Sequence, residues 1–195
     1  LLARLRPGAG IGLDGVFAMQ DYYAKGGFVF SHRNIRFRAE TPDQPMTPAL
    51  GSETVVPVAE VPFDELIGYD RTCFPAPRTT FLPGWVSQHD ALALACRRDG
   101  RLRGYGVVRR CLEGCKIGPL FADDPQAAEA LYGHLAGFAA GGPLFLDAPE
   151  NNPAAIELVR RHRMVEVFGC ARMYLGPPPD IAHQRIFGVT TFELG

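Results

Sequence analysis

The chain has 195 residues, enough for one domain, or one domain and part of another, with a buried core. Its 47% hydrophobic and 21% charged content is ordinary for a soluble globular protein. A net charge of −1 provides no basic field for nucleic acid, and no apolar run approaches the ~18–20 residues of a membrane span. Five cysteines (73, 96, 111, 115, 170) form no disulfide framework, and no Cys/His pair at zinc spacing stands near Cys111 and Cys115. No metal is expected. Reduced thiols point to a cytoplasmic location. The histidines (32, 89, 134, 162, 183) are scattered and form no metal or triad pattern.

In chain order, Leu1–Arg6 reads as the tail of an amphipathic helix stopped by Pro7-Gly8, as in a chain whose start has been lost. Ile11–Asp14 is strand-like, a short helix follows, and Gly27-Phe28 leads into a strand over Val29–Arg38. Thr41–Ser52, with Pro42, Pro45, Pro48 and Gly51, is the strongest linker. Val55–Val61 predicts a strand weakened by Pro57. Pro62, Asp64 and Glu65 suit a first helical turn, and that helix ends near Cys73-Phe74. Phe81, Leu82, Trp85 and Val86 place a second short helix within 77–88.

Ala91–Cys96 and Leu102–Arg110 pair across an Arg98-Asp99-Gly100 turn, whose arginines (97, 98, 101, 103) make a solvated tip. Gly114–Phe121 is another strand. Asp124 and Pro125 are an N-cap and first helical residue, and the helix stops at Gly141-Gly142. Leu144–Asp147 is a buried strand, followed by a helix over 152–162, a strand over 165–174 and a closing strand over 185–193. From residue 54 the order is β-α-α-β-β-β-α-β-α-β-β, a mixed α/β domain.

One unit occurs twice. Asp14 precedes Phe28 by fourteen residues and Asp147 precedes Met164 by seventeen; an arginine lies eight residues beyond each anchor, Arg36 and Arg172. The repeat suggests residues 1–40 as the C-terminal fragment of a first domain, 41–53 as linker, and 54–195 as a second domain.

This order resembles the GNAT acyltransferase superfamily. The resemblance is carried by Tyr23-Ala-Lys-Gly-Gly-Phe28, similar to the family's Tyr-x-x-x-Gly-Phe segment. It is also carried by Phe74–Leu82, Lys116–Asp123, Ala171–Gly176 and Phe187–Gly195, which resemble the C-terminal domain of tandem GNAT proteins. It implies an α/β (α+β) fold, a mixed and mostly antiparallel central sheet flanked by helices, preceded by a partial second GNAT unit. It also implies transfer of an acetyl or other acyl group from acetyl-CoA to a small-molecule amine or peptide acceptor. Nucleic acid and membrane are not expected partners, and the oligomeric state is unreadable. A non-catalytic GNAT-fold module that binds a ligand or serves structurally is the alternative.

The resemblance makes Tyr23 the candidate acid for the departing thiolate; the equivalent position of the second copy is Val159, which protonates nothing. A pyrophosphate site needs free backbone N–H donors at a helix N-terminus. The second domain has Phe121-Ala122-Asp123-Asp124-Pro125-Gln126 there, with two acids and no glycine, so its coenzyme A loop is degenerate. Acetyl-CoA is then expected mainly in the first domain. Asp147, Glu150, Asn152 and Arg172 are pocket candidates near the end of a central strand, with capping as the plainer role for Asp147 and Asn152. Arg78, Arg172 and Glu193 are candidates for one ion-pair network.

Overall fold

The computed structural model describes residues 8–41 and 53–194. The expected helical tail at Leu1–Arg6 and most of the expected linker lie outside the described residues. The first part holds β1 (Ile11–Val16), α1 (Gln20–Lys25) and β2 (Val29–Glu40). Then come β3 (Thr54–Pro57), α2 (Phe63–Cys73), α3 (Phe81–Val86), β4 (Ala91–Arg98), β5 (Arg101–Arg110) and β6 (Cys115–Ala122). The remainder is α4 (Pro125–Ala136), β7 (Pro143–Pro149), α5 (Pro153–Arg161), β8 (Val165–Leu175) and β9 (Ile186–Gly188). From residue 54 the elements follow the order read from the sequence.

Local chemistry explains most boundaries. Asp99 and Gly100 both take positive φ (51° and 73°), the left-handed pair that a tight hairpin turn needs. Asp124 caps α4 by accepting from the Ala127 N–H at 3.0 Å, and Asn152 caps α5 by accepting from Ala154 and Ala155. Two strands are shorter than expected. β3 ends at Pro57, which has no N–H for the ladder, and Val58–Glu60 turn as a 3-10 segment. The closing strand shrinks from 185–193 to Ile186–Gly188, because Thr190 and Thr191 turn to side-chain bonds instead, with Arg78 and the Glu193 N–H.

The strands form a single mixed, mostly antiparallel sheet in the order β1-β8-β2-β7-β6-β5-β4-β3, with β9 paired to β6. α4 and α5 cover one face. α2, α3 and the last segment of the chain cover the other, around Tyr105 and Phe121.

Two features of the topology position the site. First, the two strand–helix–strand units interleave. β8 of the second lies between β1 and β2 of the first, and β2 of the first lies between β7 and β8 of the second, all antiparallel. Second, β6 and β7 run parallel only over Cys115–Ile117 against Leu144–Leu146. Beyond Ile117 they part, and β9 enters the gap: Leu120 pairs with Gly188, and the Val189 N–H bonds to the Asp147 carbonyl at 2.9 Å. Gly118 lies so close to the Val189 and Thr190 carbonyls that a side chain there would collide with them.

Candidate functional site

Interleaving sets the duplicated Asp and Arg residues opposite each other across the units. Arg36 on β2 is registered with Asp147 on β7, and Asp14 on β1 with Arg172 on β8. Each aspartate therefore pairs with the arginine of the other copy.

Asp147 is fully buried and is not the turn cap that was expected. Arg36 grips it in a fork, Nε to Oδ1 at 2.7 Å and Nη2 to Oδ2 at 2.9 Å, and the Lys116 ammonium adds to Oδ2. Burial pushes Lys116 below the usual lysine range despite Asp147 beside it. The Phe192 ring lies beneath both cations, 4.8 Å from the Arg36 guanidinium and 5.4 Å from the lysine nitrogen. This cluster is complete in itself.

The Asp14 side chain is shielded from solvent as fully as that of Asp147, but its surroundings are more open. Arg172 donates from Nη1 to Oδ2 at 2.6 Å, and Asn34 donates from Nδ2 to Oδ1 at 2.7 Å. Burial raises the Asp14 carboxyl above its ordinary value, outweighing the opposite pull of Arg172 and Asn34. Arg172 also donates through Nε to the Tyr174 hydroxyl at 3.0 Å. Asn34 is 1% exposed, and its Oδ1, with the His32 ring nearby, accepts no hydrogen bond of good geometry from the described residues.

A cavity of about 40 Å³ opens beside this group. Arg172 and Tyr174 from β8, His32 and Asn34 from β2, and His183 form its polar wall; Phe74, Phe121, Ile181 and Val189 are among its apolar residues. His32 and His183 meet edge to face with ring centres 5.7 Å apart. Burial, with His183 and Arg172 nearby, pulls His32 down to about 4 against a smaller opposing effect of Asn34. Burial and Arg172 also lower His183. Both rings are therefore uncharged at neutral pH.

Of the residues singled out in the sequence, Arg172 lines this cavity. Tyr23 sits on α1 with its ring packed on Gly15. Gly15 and Asp14 are strand neighbours and face opposite sides of the sheet, so Tyr23 lies across the sheet from the Asp14–Arg172 pair. Glu150 is exposed and 3.4 Å from Arg33. Asn152 caps α5 and gives its amide protons to the carbonyls of Gln184 and Ile186, which commits it to structure.

At the β6–α4 junction Phe121 and Ala122 are buried and Gln126 is exposed. Arg98 holds Asp124 at 2.9 Å and Arg103 holds Asp123 at 3.0 Å, so those two arginines are counterions and not a solvated tip. Burial would raise the Asp124 carboxyl, but Arg98 and the Ala127 N–H hold it below its ordinary range. Arg78 and Arg172 do not share a network with Glu193: Arg78 is paired with Asp70, which also accepts from Tyr105 at 2.5 Å. His32, Asn34 and His183 escaped the sequence reading. The alternation His32, Asn34, Arg36 within a buried strand was the available signal, since polar residues at period two mark one lined face. Among the described residues no group of His, Cys, Asp and Glu has the makings of a metal site.

The sequence model described as "Acetyltransferase (GNAT) domain" matches residues 66–188, more than half of the chain. The chain belongs to the GNAT acetyltransferase family. A holothin acyltransferase from a Pseudoalteromonas strain is 26% identical over 186 residues, 95% of this chain and 62% of its own length. A candidate acetyltransferase from Pyrococcus horikoshii superposes with a TM-score of 0.76 at 29% identity, over 95% of this chain and 60% of that one. A GCN5-related N-acetyltransferase from Sphaerobacter thermophilus shares the fold at TM-score 0.63 and 16% identity, over 89% of this chain and 62% of its own. This GNAT chain thus spans about three-fifths of the length of these relatives.

Proposed function

We propose that the protein transfers an acyl group, acetyl in the simplest case, from its coenzyme A thioester to an amine, with a small molecule or peptide as acceptor. The observation that carries this reading is the family match over residues 66–188. One relative bears the name acyltransferase, which supports an acyl donor broader than acetyl-CoA. Five free cysteines fit a cytoplasmic location.

Within this reading residues 54–195 are the second domain of a tandem pair and do not hold the coenzyme. The gap between β6 and β7 carries the protein's own β9, and the N-terminus of α4 is capped by Asp124 and held by Arg98. The acyl thioester then belongs to the unit that contains Tyr23. There Tyr23 protonates the departing thiolate as the amine attacks the carbonyl, forming the C–N bond and breaking C–S, and the proton the amine nitrogen gives up passes through water to restore the Tyr23 hydroxyl. In the natural protein, Tyr23→Phe is expected to lower kcat about 10²-fold with little change in melting temperature. An unchanged kcat removes Tyr23 from the mechanism.

The occupied gap also favours a second reading, in which residues 54–195 are a non-catalytic ligand-binding or structural module. Calorimetric titration of this chain with acetyl-CoA separates the two questions. Tight binding that survives Tyr23→Phe but is lost on changing the β6–α4 junction would place the coenzyme in the second unit and defeat its degenerate assignment.

A further inference from the structure

The polar wall beside Arg172 has hydrogen-bonding groups whose needs the protein itself does not meet. Asn34 is fixed in orientation, because turning its amide over would set the amide oxygen against the Asp14 carboxylate. Its Oδ1 is therefore a committed acceptor, buried at 1% exposure; the His32 ring lies near it, but no described residue donates to it at hydrogen-bonding geometry, so it has capacity to accept. Leaving acceptor capacity of such a buried atom unused is unfavourable, and a donor supplied from outside would recover that loss. On the same wall, Tyr174 accepts from Arg172 and keeps its own O–H to give. His183 Nδ1 lies 3.4 Å from the Asn151 amide nitrogen; with that amide donating, the ring proton sits on Nε2.

The wall carries no net charge to offer. The Arg172 cation is matched by Asp14, and both Asp14 oxygens are already bonded. Both imidazoles are neutral. An anion entering here finds no free cation, and a cation finds no free carboxylate. The remaining walls are apolar, and exposed Pro75 marks the mouth. The 40 Å³ volume is the room of about three waters, the size of a group of three or four heavy atoms.

We propose that this cavity is a binding site for an uncharged carboxamide group, a primary or secondary amide or a lactam, carried on a small and otherwise apolar molecule. The amide N–H donates to Asn34 Oδ1. Its carbonyl accepts from the wall of His183 and Tyr174, and the hydrocarbon part lies against Phe74, Ile181 and Val189. The site does not depend on where, or whether, acyl transfer takes place.

The test is a titration of the natural protein with acetamide, N-methylacetamide, acetate and methylammonium, with no acyl donor present. The side-chain ¹⁵N signals of His32, His183 and Asn34 report occupancy. Acetamide and N-methylacetamide are expected to shift all three saturably, with acetate and methylammonium roughly tenfold weaker or worse. Ile181→Trp, which fills the cavity from its apolar side, is expected to abolish the shifts while the backbone spectrum elsewhere is retained. Pro75→Trp at the mouth gives the same reading if the first variant unfolds. Equal binding of the charged probes, shifts that persist in the filled variants, or no saturable shift at all would overturn the assignment.

Discussion

Asp14 and Asp147 hold equivalent places in the two strand–helix–strand units, and both face an arginine from the other unit. Their neighbourhoods nevertheless diverge. Asp147 has two cations on it, the Arg36 fork and Lys116, with Phe192 underneath. Asp14 has one cation, an amide and a neighbouring cavity. The same motif has thus become a structural rivet in one place and the floor of a cavity in the other. What separates them lies outside the motif: Lys116 and the last segment of the chain close the first, while His32, Asn34 and His183 leave the second open.

Four measurements test that contrast. The largest effect is expected for Asp147→Ala, which strands the buried Lys116 ammonium and takes the anchor from the half-buried Arg36; denaturant unfolding should show a loss of ~3–5 kcal/mol. An effect comparable to that of a surface pair would end the rivet description.

The second is the pH dependence. Burial lowers the folded-state value of His32 to about 4, so between there and ~6.5 the unfolded chain binds the extra proton. The stability from keeping His32 neutral is fully present above ~6.5 and is lost as pH falls toward 4, by up to ~3 kcal/mol. Asp14, raised by burial, contributes with the opposite sign in part of that window. Subtracting the profile of His32→Phe from that of the parent isolates the histidine, and a flat difference between pH 7 and 4 would contradict its burial.

Asp14→Ala comes third. Arg172 retains the Tyr174 hydroxyl and a cavity into which water can pass, so the loss is expected at ~1–3 kcal/mol, below that of Asp147→Ala. A reversed order of the two aspartates would break the comparison outright. The smallest effect is Tyr174→Phe, which removes one hydrogen bond to Arg172 and should cost ~0.5–1.5 kcal/mol in the same denaturant series.

Much of the architecture was legible in the sequence because local chemistry decides it. Asp124-Pro125, Asn152-Pro153 and Asp99-Gly100 each announce a boundary by capping or turn preference, and the order of elements from residue 54 follows from them. The two strand–helix–strand segments were legible too, each with its Asp and Arg. Their interleaving was not, since no local signal says that β8 inserts between β1 and β2. Partners at that range depend on which sheet edges meet. The site suffered most: Lys116 and Asp147 are neighbours only because β6 and β7 run parallel for three residues, and His32 meets His183 only when the final segment folds back.

The interleaving also constrains how the chain reaches its native state. Arg36 and Asp147 are 111 residues apart, and Asp14 and Arg172 158 apart, yet each pair bonds directly. Neither unit completes its half of the sheet from its own sequence, because the strand that fills each one is supplied by the other. Contacts of such long sequence separation close late and slowly. The four strands β1, β8, β2 and β7 therefore behave as one cooperative knot of structure, and a nascent chain gains the Asp14 site only after β8 has been made.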